Sequence, residues 1–171
     1  IKNSYTQTRY FKEGVVFSES NTNKRGKKRL TILLLVPFYS FDPKYETRRV
    51  SAPMGLEYVA SELVKEKFNV VFIDAARSDY NNLIKQKDGT VRYGLSERRL
   101  TQLLSQFNPD IIGITNMFSN QAHNVMRVAE LCKTVHPSAL VVQGGAHASG
   151  ADFNILKNKS VDVVVRSEGM I

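Results

Sequence analysis

Leu30-Thr-Ile-Leu-Leu-Leu-Val-Pro37 is a continuous apolar run near the start of the chain. A strand of this composition has no polar face, so the run predicts a parallel strand that is covered on both sides. Shorter apolar runs recur at 70–73, 111–115, 140–142 and 161–165. The chain is therefore expected to contain five buried strands.

Helical patterns separate these runs. Pro53 stands at a predicted helix start, where the missing N–H of proline has no cost. The apolar residues after it recur at helical spacing, at Leu56, Val59, Ala60, Leu63 and Val64. Further helices are predicted to begin at Ser96 and to span about 120–135 and 152–156. Asp88-Gly89 predicts a turn or small hairpin.

Strands and helices thus alternate along the chain with short connections. This alternation predicts a doubly wound α/β fold with helices on both faces of a parallel sheet. Five strands favour the flavodoxin-like, Rossmann-type arrangement with strand order 2-1-3-4-5.

The first 29 residues differ in character from the rest. The chain holds 24 Lys and Arg against 16 Asp and Glu, and residues 1–29 alone hold eight basic and two acidic residues. We therefore expect a basic, irregular leader at 1–29, followed by one domain at 30–171. A flexible, solvated arm is the favoured interpretation of the leader, and a contact to nucleic acid or an acidic partner is the alternative.

The composition excludes several classes of protein. No apolar run approaches the ~20 residues that a membrane-spanning helix needs. The first residues lack the apolar core of a secretory signal, and the single cysteine, Cys132, excludes a disulfide framework. A cytoplasmic location is therefore expected. One cysteine also cannot hold an iron–sulfur cluster, which needs three or four thiolates.

Two segments follow predicted strands at the edge where ligands bind in doubly wound sheets. Gly144-Gly145-Ala-His147 follows the fourth strand, and its glycines allow the backbone to approach a ligand closely. A tight strand-to-helix turn is the alternative interpretation, although one glycine would usually suffice for it. Thr115-Asn-Met-Phe-Ser-Asn120 follows the third strand, and Ser119 or Asn120 is also expected to cap the next helix. Asp74 occupies the position of a ribose-binding carboxylate, but no Gly-x-Gly-x-x-Gly precedes it, which argues against a dinucleotide.

Several motifs together resemble a known family. Thr115-x-Met117 stands where cobalamin-binding domains carry Ser-x-Leu, with 26 residues between it and Gly144-Gly145. The chain is more closely similar to the N-terminal B12-binding domain of cobalamin-dependent radical SAM enzymes. The matching motifs over 30–170 are Pro53-Met-Gly55-Leu56, Pro109-Asp110-Ile-Ile-Gly113-Ile-Thr115, Gly144-Gly145-Ala-His147 and the degenerate Ser167-Glu168-Gly169-Met170.

The resemblance implies a binding mode for cobalamin. The corrin would lie across the strand ends, with its nucleotide tail beside Gly144 and Gly145. Met117 or the pair Phe38 and Tyr39 would cover its lower face. No histidine ligand to cobalt is expected, because the Asp-x-His-x-x-Gly loop of the histidine-ligated domains is missing. The cofactor-binding residues would be Phe38, Tyr39, Pro53, Gly55, Thr115, Asn116, Met117, Ser119, Asn120, Gly144, Gly145, His147, Glu168 and Gly169, with no catalytic or metal-ligating residue in the chain.

The resemblance also implies a larger parent protein. A radical SAM barrel of the same polypeptide, with a Cys-x-x-x-Cys-x-x-Cys motif, would bind S-adenosylmethionine and a [4Fe-4S] cluster. The chain stops at Ile171, shortly after the fifth predicted strand, and is expected to be truncated there. Methyl transfer from methylcobalamin to a substrate radical is the usual outcome in the family, and other radical reactions remain open.

Two other functions are compatible with the sequence. The first is a non-catalytic, flavodoxin-like regulatory or protein-interaction domain. The second is nucleic-acid binding through residues 1–29, which we consider the weaker hypothesis because residues 30–171 hold sixteen basic and fourteen acidic residues.

Overall fold

The structure is a computed structural model that describes residues 7–10, 15–19, 29–48 and 51–167, the first two ranges by their backbone alone. Its strands are β1 Gln7–Tyr10, β2 Val15–Glu19, β3 Thr31–Val36, β4 Tyr39–Phe41, β5 Asn69–Asp74, β6 Leu83–Lys85, β7 Val91–Tyr93, β8 Ile111–Thr115, β9 Leu140–Gly144 and β10 Val163–Val165. Its helices are α1 Met54–Lys65, α2 Ala75–Ser78, α3 Glu97–Leu104, α4 Ala122–Val135 and α5 Ala146–Ile155, with a 3₁₀ turn at Ser119–Gln121.

The main sheet has the predicted topology. Its order is β1-β2-β5-β3-β8-β9-β10, in which β5, β3, β8, β9 and β10 run parallel. In chain order these five strands are arranged 2-1-3-4-5, so the flavodoxin-like prediction is confirmed. The strands that correspond to 30–37 and 111–115 lie side by side at the centre, where the apolar runs are covered on both faces.

Helices cover the two faces unequally. On one face, α3, α4 and α5 pack on Leu33, Leu35 and Ile112 to form the larger core. On the other face, α1 packs with the residues predicted from its spacing on a smaller cluster around Ile32, Leu34 and Val70. We call this second side the α1 face. Within the described part of the chain, no helix has the length and hydrophobicity to cross a bilayer.

The leader departs from the prediction of an irregular segment. Residues 7–10 and 15–19 are strands, β2 pairs antiparallel with β5 in the register Val15↔Ile73, and β1 pairs with β2. Without β2, the strand β5 would be an edge strand with unpaired N–H and C=O groups, and pairing with residues 15–18 satisfies these groups. This pairing is with a distant strand, which local composition does not reveal.

Two helix starts also differ from the predictions. Neither Ser119 nor Asn120 caps α4, because both lie in the 3₁₀ turn and Gln121 precedes the helix. The helix expected at 152–156 begins earlier, at Ala146, and contains a non-helical residue at Ala151. The predicted start at Ser96 is confirmed, since its side chain accepts a hydrogen bond from the Arg99 N–H.

A second, three-stranded sheet consists of β4, β7 and β6, and its first strand follows shortly after β3. The predicted turn at Asp88-Gly89 joins β6 and β7 in an antiparallel hairpin, and β4 adds to β7 in the register Tyr39↔Tyr93. The side-chain amide of Gln121 pairs with both backbone groups of Ser40, at 2.9 Å to its N–H and 2.7 Å to its C=O. These bonds hold β4 beside the end of β8.

Gly94 and Gly89 offer a matched test of this packing. Both have positive φ, at 106° and 88°, but a Cβ on Gly94 would lie 2.3 Å from the Ala75 carbonyl oxygen while one on Gly89 would meet nothing within 4 Å. We expect Gly89→Ala to cost about 1 kcal/mol of unfolding free energy from backbone strain. Gly94→Ala should cost about 3 kcal/mol or more because steric overlap adds to the strain. Equal costs in urea unfolding would contradict this packing.

Candidate functional site

The carboxyl ends of the parallel strands bring a row of residues together on the α1 face. Asp74 of β5 pairs in register with Val36 of β3, and Thr115 of β8 pairs with Gly144 of β9. The chain leaves β3 on one side to reach β5 and later crosses to β8 on the other side. Strand order therefore reverses at this row, which is where ligands bind in open α/β sheets.

An open cleft lies between this row and the start of α1. Its cavity volume is about 150 Å³, below the roughly 300–1,000 Å³ of pockets that enclose a small molecule. Its rim exposes apolar side chains, with Met54 60%, Met117 47% and Phe118 53% accessible. The lining residues are Val36, Tyr39, Ser51, Ala52, Pro53, Met54, Gly55, Leu56, Asp74, Ala76, Arg77, Thr115, Met117 and Phe118. A ligand larger than the cavity would lie over its mouth.

The two predicted ligand segments meet at this edge through the backbone of Asn116. Its N–H donates to the Gly144 carbonyl at 2.7 Å, and its C=O accepts from the N–H groups of His147 and Ala148 at 3.1 and 3.3 Å. The Ser119 hydroxyl lies 2.9 Å from Nδ1 of His147. Hydrogen bonds therefore join the loop after β8 and the turn after β9 into one unit.

The two glycines of that turn serve different needs. Gly145 has φ +122°, and a Cβ there would lie 2.7 Å from the Asn116 carbonyl oxygen and 2.9 Å from Met117 Sδ. Glycine is thus required at 145 by the fold itself. Gly144 is different, because a Cβ there would make only ordinary contacts, at 3.7 Å from Val165 Cβ. The fold does not require glycine at 144.

Asp74 gives the cleft a polar end. Only 6% of the residue is accessible, and this burial raises the pKa of its carboxyl above the usual 3.8. The charge of Glu57 raises the pKa further. The N–H groups of Arg77 and Ala76 and the charge of Arg77 lower it, but they do not cancel the effect of burial. Burial and the nearby Asp74 charge also raise the pKa of Tyr39. The apolar rim and this polar end make the cleft asymmetric.

A family model described as a B12 binding domain matches residues 47–170. The chain belongs to this family. The match covers both segments joined by Asn116 and most of the cleft, and it agrees with the cobalamin-binding domain expected from the motifs.

Two curated relatives match this B12-binding domain over most of its length. Cytidylyl-2-hydroxyethylphosphonate methyltransferase of Streptomyces wedmorensis is 34% identical over 140 residues, which are 81% of this chain and 26% of the relative. The uncharacterized methyltransferase PH0819 of Pyrococcus horikoshii is 29% identical over 143 residues, which are 83% of this chain and 28% of the relative. The chain thus spans about a quarter of the length of these relatives.

A solved structure supports the fold. A novel cobalamin-binding protein from Desulfitobacterium hafniense DCB-2 superposes with a TM-score of 0.50 at 13% identity, over 81% of this chain and 53% of that protein. At this identity the likeness concerns the fold alone.

The structure brings together some of the expected cofactor-binding residues. Tyr39, Pro53, Gly55, Thr115 and Met117 line the cleft. Ser119, in the loop after β8, and Gly144, Gly145 and His147, in the turn after β9, lie at the same edge of the sheet.

Other expected residues lie elsewhere. Phe38 is fully buried in the core beneath the Arg92 guanidinium, 4.3 Å from its ring centroid, so its side chain does not reach the cleft. Asn116 is also fully buried and directs its amide to Gln143 at 2.9 Å, so its contribution comes from the backbone. Asn120 is exposed in the 3₁₀ turn. Glu168 and Gly169 lie outside the described residues.

The described residues with metal-ligand chemistry lie apart from one another. Among the described residues, no group of three or more His, Cys, Asp or Glu side chains is placed to hold a metal ion. Cys132 is buried in the core, and burial raises the pKa of its thiol to about 12, which disfavours the thiolate that metals bind. His136 bonds the Leu104 carbonyl, and none of the three histidines is among the cleft-lining residues.

Asp74 lines the cleft but is not among the residues that the sequence motifs assigned to cobalamin. The available signal was its position at the carboxyl end of the second strand, which favoured a ribose contact that the neighbouring loop then argued against. Met54, Arg77 and Phe118 were also not predicted. Their presence depends on how α1, α2 and the loop after β8 converge.

The raised pKa of Asp74 predicts a pH-dependent stability. A carboxyl whose pKa is higher in the folded than in the unfolded chain binds more protons when folded, so its contribution to stability falls as the pH rises above 3.8 and through the folded pKa. Asp74→Asn keeps a capping oxygen for the Arg77 N–H. We expect the variant to gain stability over the parent at about pH 7 and to lose that advantage at about pH 4, as measured by urea unfolding.

Asp88→Asn provides a control of opposite sign. Hydrogen bonds from Thr90 lower the pKa of Asp88, so this variant should lose stability relative to the parent as the pH rises. An advantage of Asp74→Asn that does not change with pH would contradict the raised pKa.

Proposed function

We propose that this chain is the cobalamin-binding domain of a B12-dependent radical SAM enzyme and presents methylcobalamin for radical methyl transfer. The observation that carries the proposal is the joining of the Thr115–Met117 and Gly144–His147 segments beside an open cleft at the strand ends, within the residues that match the B12-binding family. The names of the two relatives, both methyltransferases, support the type of reaction.

The residues at this edge fit a corrinoid. A corrin is larger than the cavity and would rest on the exposed rim of Met54, Met117 and Phe118, which would exclude water from its lower side. Gly144 leaves space for the nucleotide tail to pass along the α1 face, because it places no side chain beside Thr115 and Val165. When bound, methylcobalamin supplies a methyl group that can be transferred to a substrate radical.

This chain supplies no histidine to the lower face of cobalt in the proposal. The cleft lining contains no histidine, and its polar side chains are those of Tyr39, Ser51, Asp74, Arg77 and Thr115. Met117 and Tyr39 would hold that face, because both line the cleft, whereas Phe38 is enclosed in the core. We expect bound cobalamin to be five-coordinate or to carry water on that side.

The rest of the chemistry belongs to a part of the protein outside this chain. The proposal places a radical SAM barrel in the same polypeptide, where three cysteines hold the [4Fe-4S] cluster and S-adenosylmethionine binds. The buried thiol of Cys132 is unsuited to be one of them. A reducing cytoplasm suits both the free cysteine and the cluster.

Cobalamin retention is the direct test. The full-length protein should retain about one hydroxocobalamin per chain after desalting, with an absorption spectrum between about 300 and 600 nm that lacks imidazole ligation. Gly144→Val should lower this retention at least about tenfold, because its side chain occupies the proposed path of the tail. A second variant, Gly144→Ala, adds only the Cβ for which residue 144 has room, so it should lower retention while unfolding at the same urea concentration as the parent.

Gly150→Val is the matched control. Gly150 lies in α5, and a Cβ there meets nothing within 4 Å, so this variant should retain cobalamin like the parent. If the parent protein retains no corrinoid, the cobalamin proposal fails and a flavodoxin-like interaction domain becomes the better interpretation.

The radical SAM assignment has a separate test. In the full-length protein, replacing the cysteines of a Cys-x-x-x-Cys-x-x-Cys motif outside this chain should remove the iron and the cluster absorbance, while cobalamin retention persists. Cys132→Ala should keep both, because its thiol is enclosed in the core. A protein that retains cobalamin but lacks such a motif would contradict the radical SAM assignment.

A further inference from the structure

Burial of the Asp74 carboxylate is energetically unfavourable, and its structural role does not explain why a charged residue stands there. Its Oδ1 accepts a hydrogen bond from the Arg77 N–H at 3.0 Å and thereby caps α2. Asparagine or serine caps a helix about as well without a charge. Burial nevertheless disfavours the ionised form of this carboxyl, so an uncharged cap would serve the fold better.

The Asp74 carboxylate has capacity to accept hydrogen bonds beyond those from the Arg77 and Ala76 N–H groups. Among the described residues, Nε of Arg77 forms an ion pair with Oδ2 at 4.0 Å, which is too long for a hydrogen bond. The Arg77 side chain is itself 53% exposed, so water weakens this ion pair. An ionised carboxylate has about four acceptor positions, and the cleft that it lines has room for a donor from a ligand.

The neighbours of Asp74 restrict which chemical group of a ligand could donate this hydrogen bond. Tyr39 and Arg77 line the same end of the cleft, the first with a phenol and the second with a guanidinium that only donates. An anionic ligand group would be repelled by the carboxylate. A primary amide matches the set, because its N–H groups donate to Asp74 while its oxygen accepts from Arg77 or Tyr39.

A corrin carries primary amides around its rim. A ribose hydroxyl could also donate to Asp74, but the loop after β3 lacks the Gly-x-Gly-x-x-Gly turn that would accept the pyrophosphate of a dinucleotide. We propose that Asp74 accepts a hydrogen bond from one primary amide of the corrin rim and makes the site selective for corrinoids in which that amide is intact. This inference rests on the proposed cobalamin-binding function and assigns it a specificity-determining residue.

Cobalamin monocarboxylic acids test the inference in the full-length protein. In each of these derivatives of hydroxocobalamin, one rim amide is hydrolysed to a carboxylate. The parent protein should bind one of the acids about 10–100-fold more weakly than hydroxocobalamin, which corresponds to losing one charge-assisted hydrogen bond and gaining charge repulsion. The other acids should bind with little change, and absorbance titration measures each affinity.

Asp74→Asn should reverse this preference. The side-chain amide that this substitution introduces donates to a carboxylate, so the disfavoured acid should bind the variant at least about tenfold more tightly than it binds the parent, while hydroxocobalamin binds less tightly. The control is Glu57→Gln, which removes an exposed charge in the first turn of α1, close enough to influence Asp74 but outside the cleft lining. This control should keep the selectivity of the parent.

Three outcomes would overturn the inference. The first is that Asp74→Asn changes the affinities of hydroxocobalamin and every acid by the same factor, which indicates a structural role. The second is an unchanged set of affinities. The third is an equal loss of selectivity in Glu57→Gln, which indicates a long-range charge effect. In all three cases the parent still retains hydroxocobalamin, so failure of the inference is distinguishable from failure of the cobalamin proposal.

Discussion

The backbone of Asn116 is the element on which the candidate site depends. Its N–H extends the pairing of β8 and β9 one residue beyond the end of β8, and its carbonyl accepts hydrogen bonds from the N–H groups of His147 and Ala148. The polypeptide can approach this carbonyl so closely only because residue 145 has no side chain. The relative positions of Thr115, Met117 and the bare Gly144 all follow from this one junction.

A second set of contacts fixes the opposite wall of the cleft. The Gln121 amide replaces a strand partner for Ser40, and Asn124 donates to the Ser40 hydroxyl at 3.0 Å. Tyr93 meets the ring of Tyr39 edge-on, with centroids 6.1 Å apart. Arg92 on the same hairpin and Arg127 on α4 both bind Glu97, whose pKa they lower. The small sheet is therefore anchored to α3 and α4, and Tyr39 is held in place.

The features that could be predicted from the sequence are those that depend only on residues close by in the chain. Leu30–Pro37 indicated a central strand, Ser96 a helix start, and Asp88-Gly89 a hairpin, because each needs only local spacing or backbone conformation. The leader strands escaped prediction since β2 is stabilised by β5, more than fifty residues away. Ser119 was misread as a cap because its hydroxyl is used by His147 across the edge. Phe38 and Tyr39 are adjacent, and only the packing shows that one is core and the other lines the cleft.

Cys132 has a practical consequence for work on this molecule. It is the only cysteine of the chain, and its side chain is enclosed by the core. Thiol reagents react with accessible thiolates, so we expect the buried Cys132 not to react with them. A cysteine introduced at the exposed Met117 would then be the single reactive thiol of the chain, and a fluorophore attached there would sit at the mouth of the cleft. The domain is thus already suited to carry an optical reporter of occupancy.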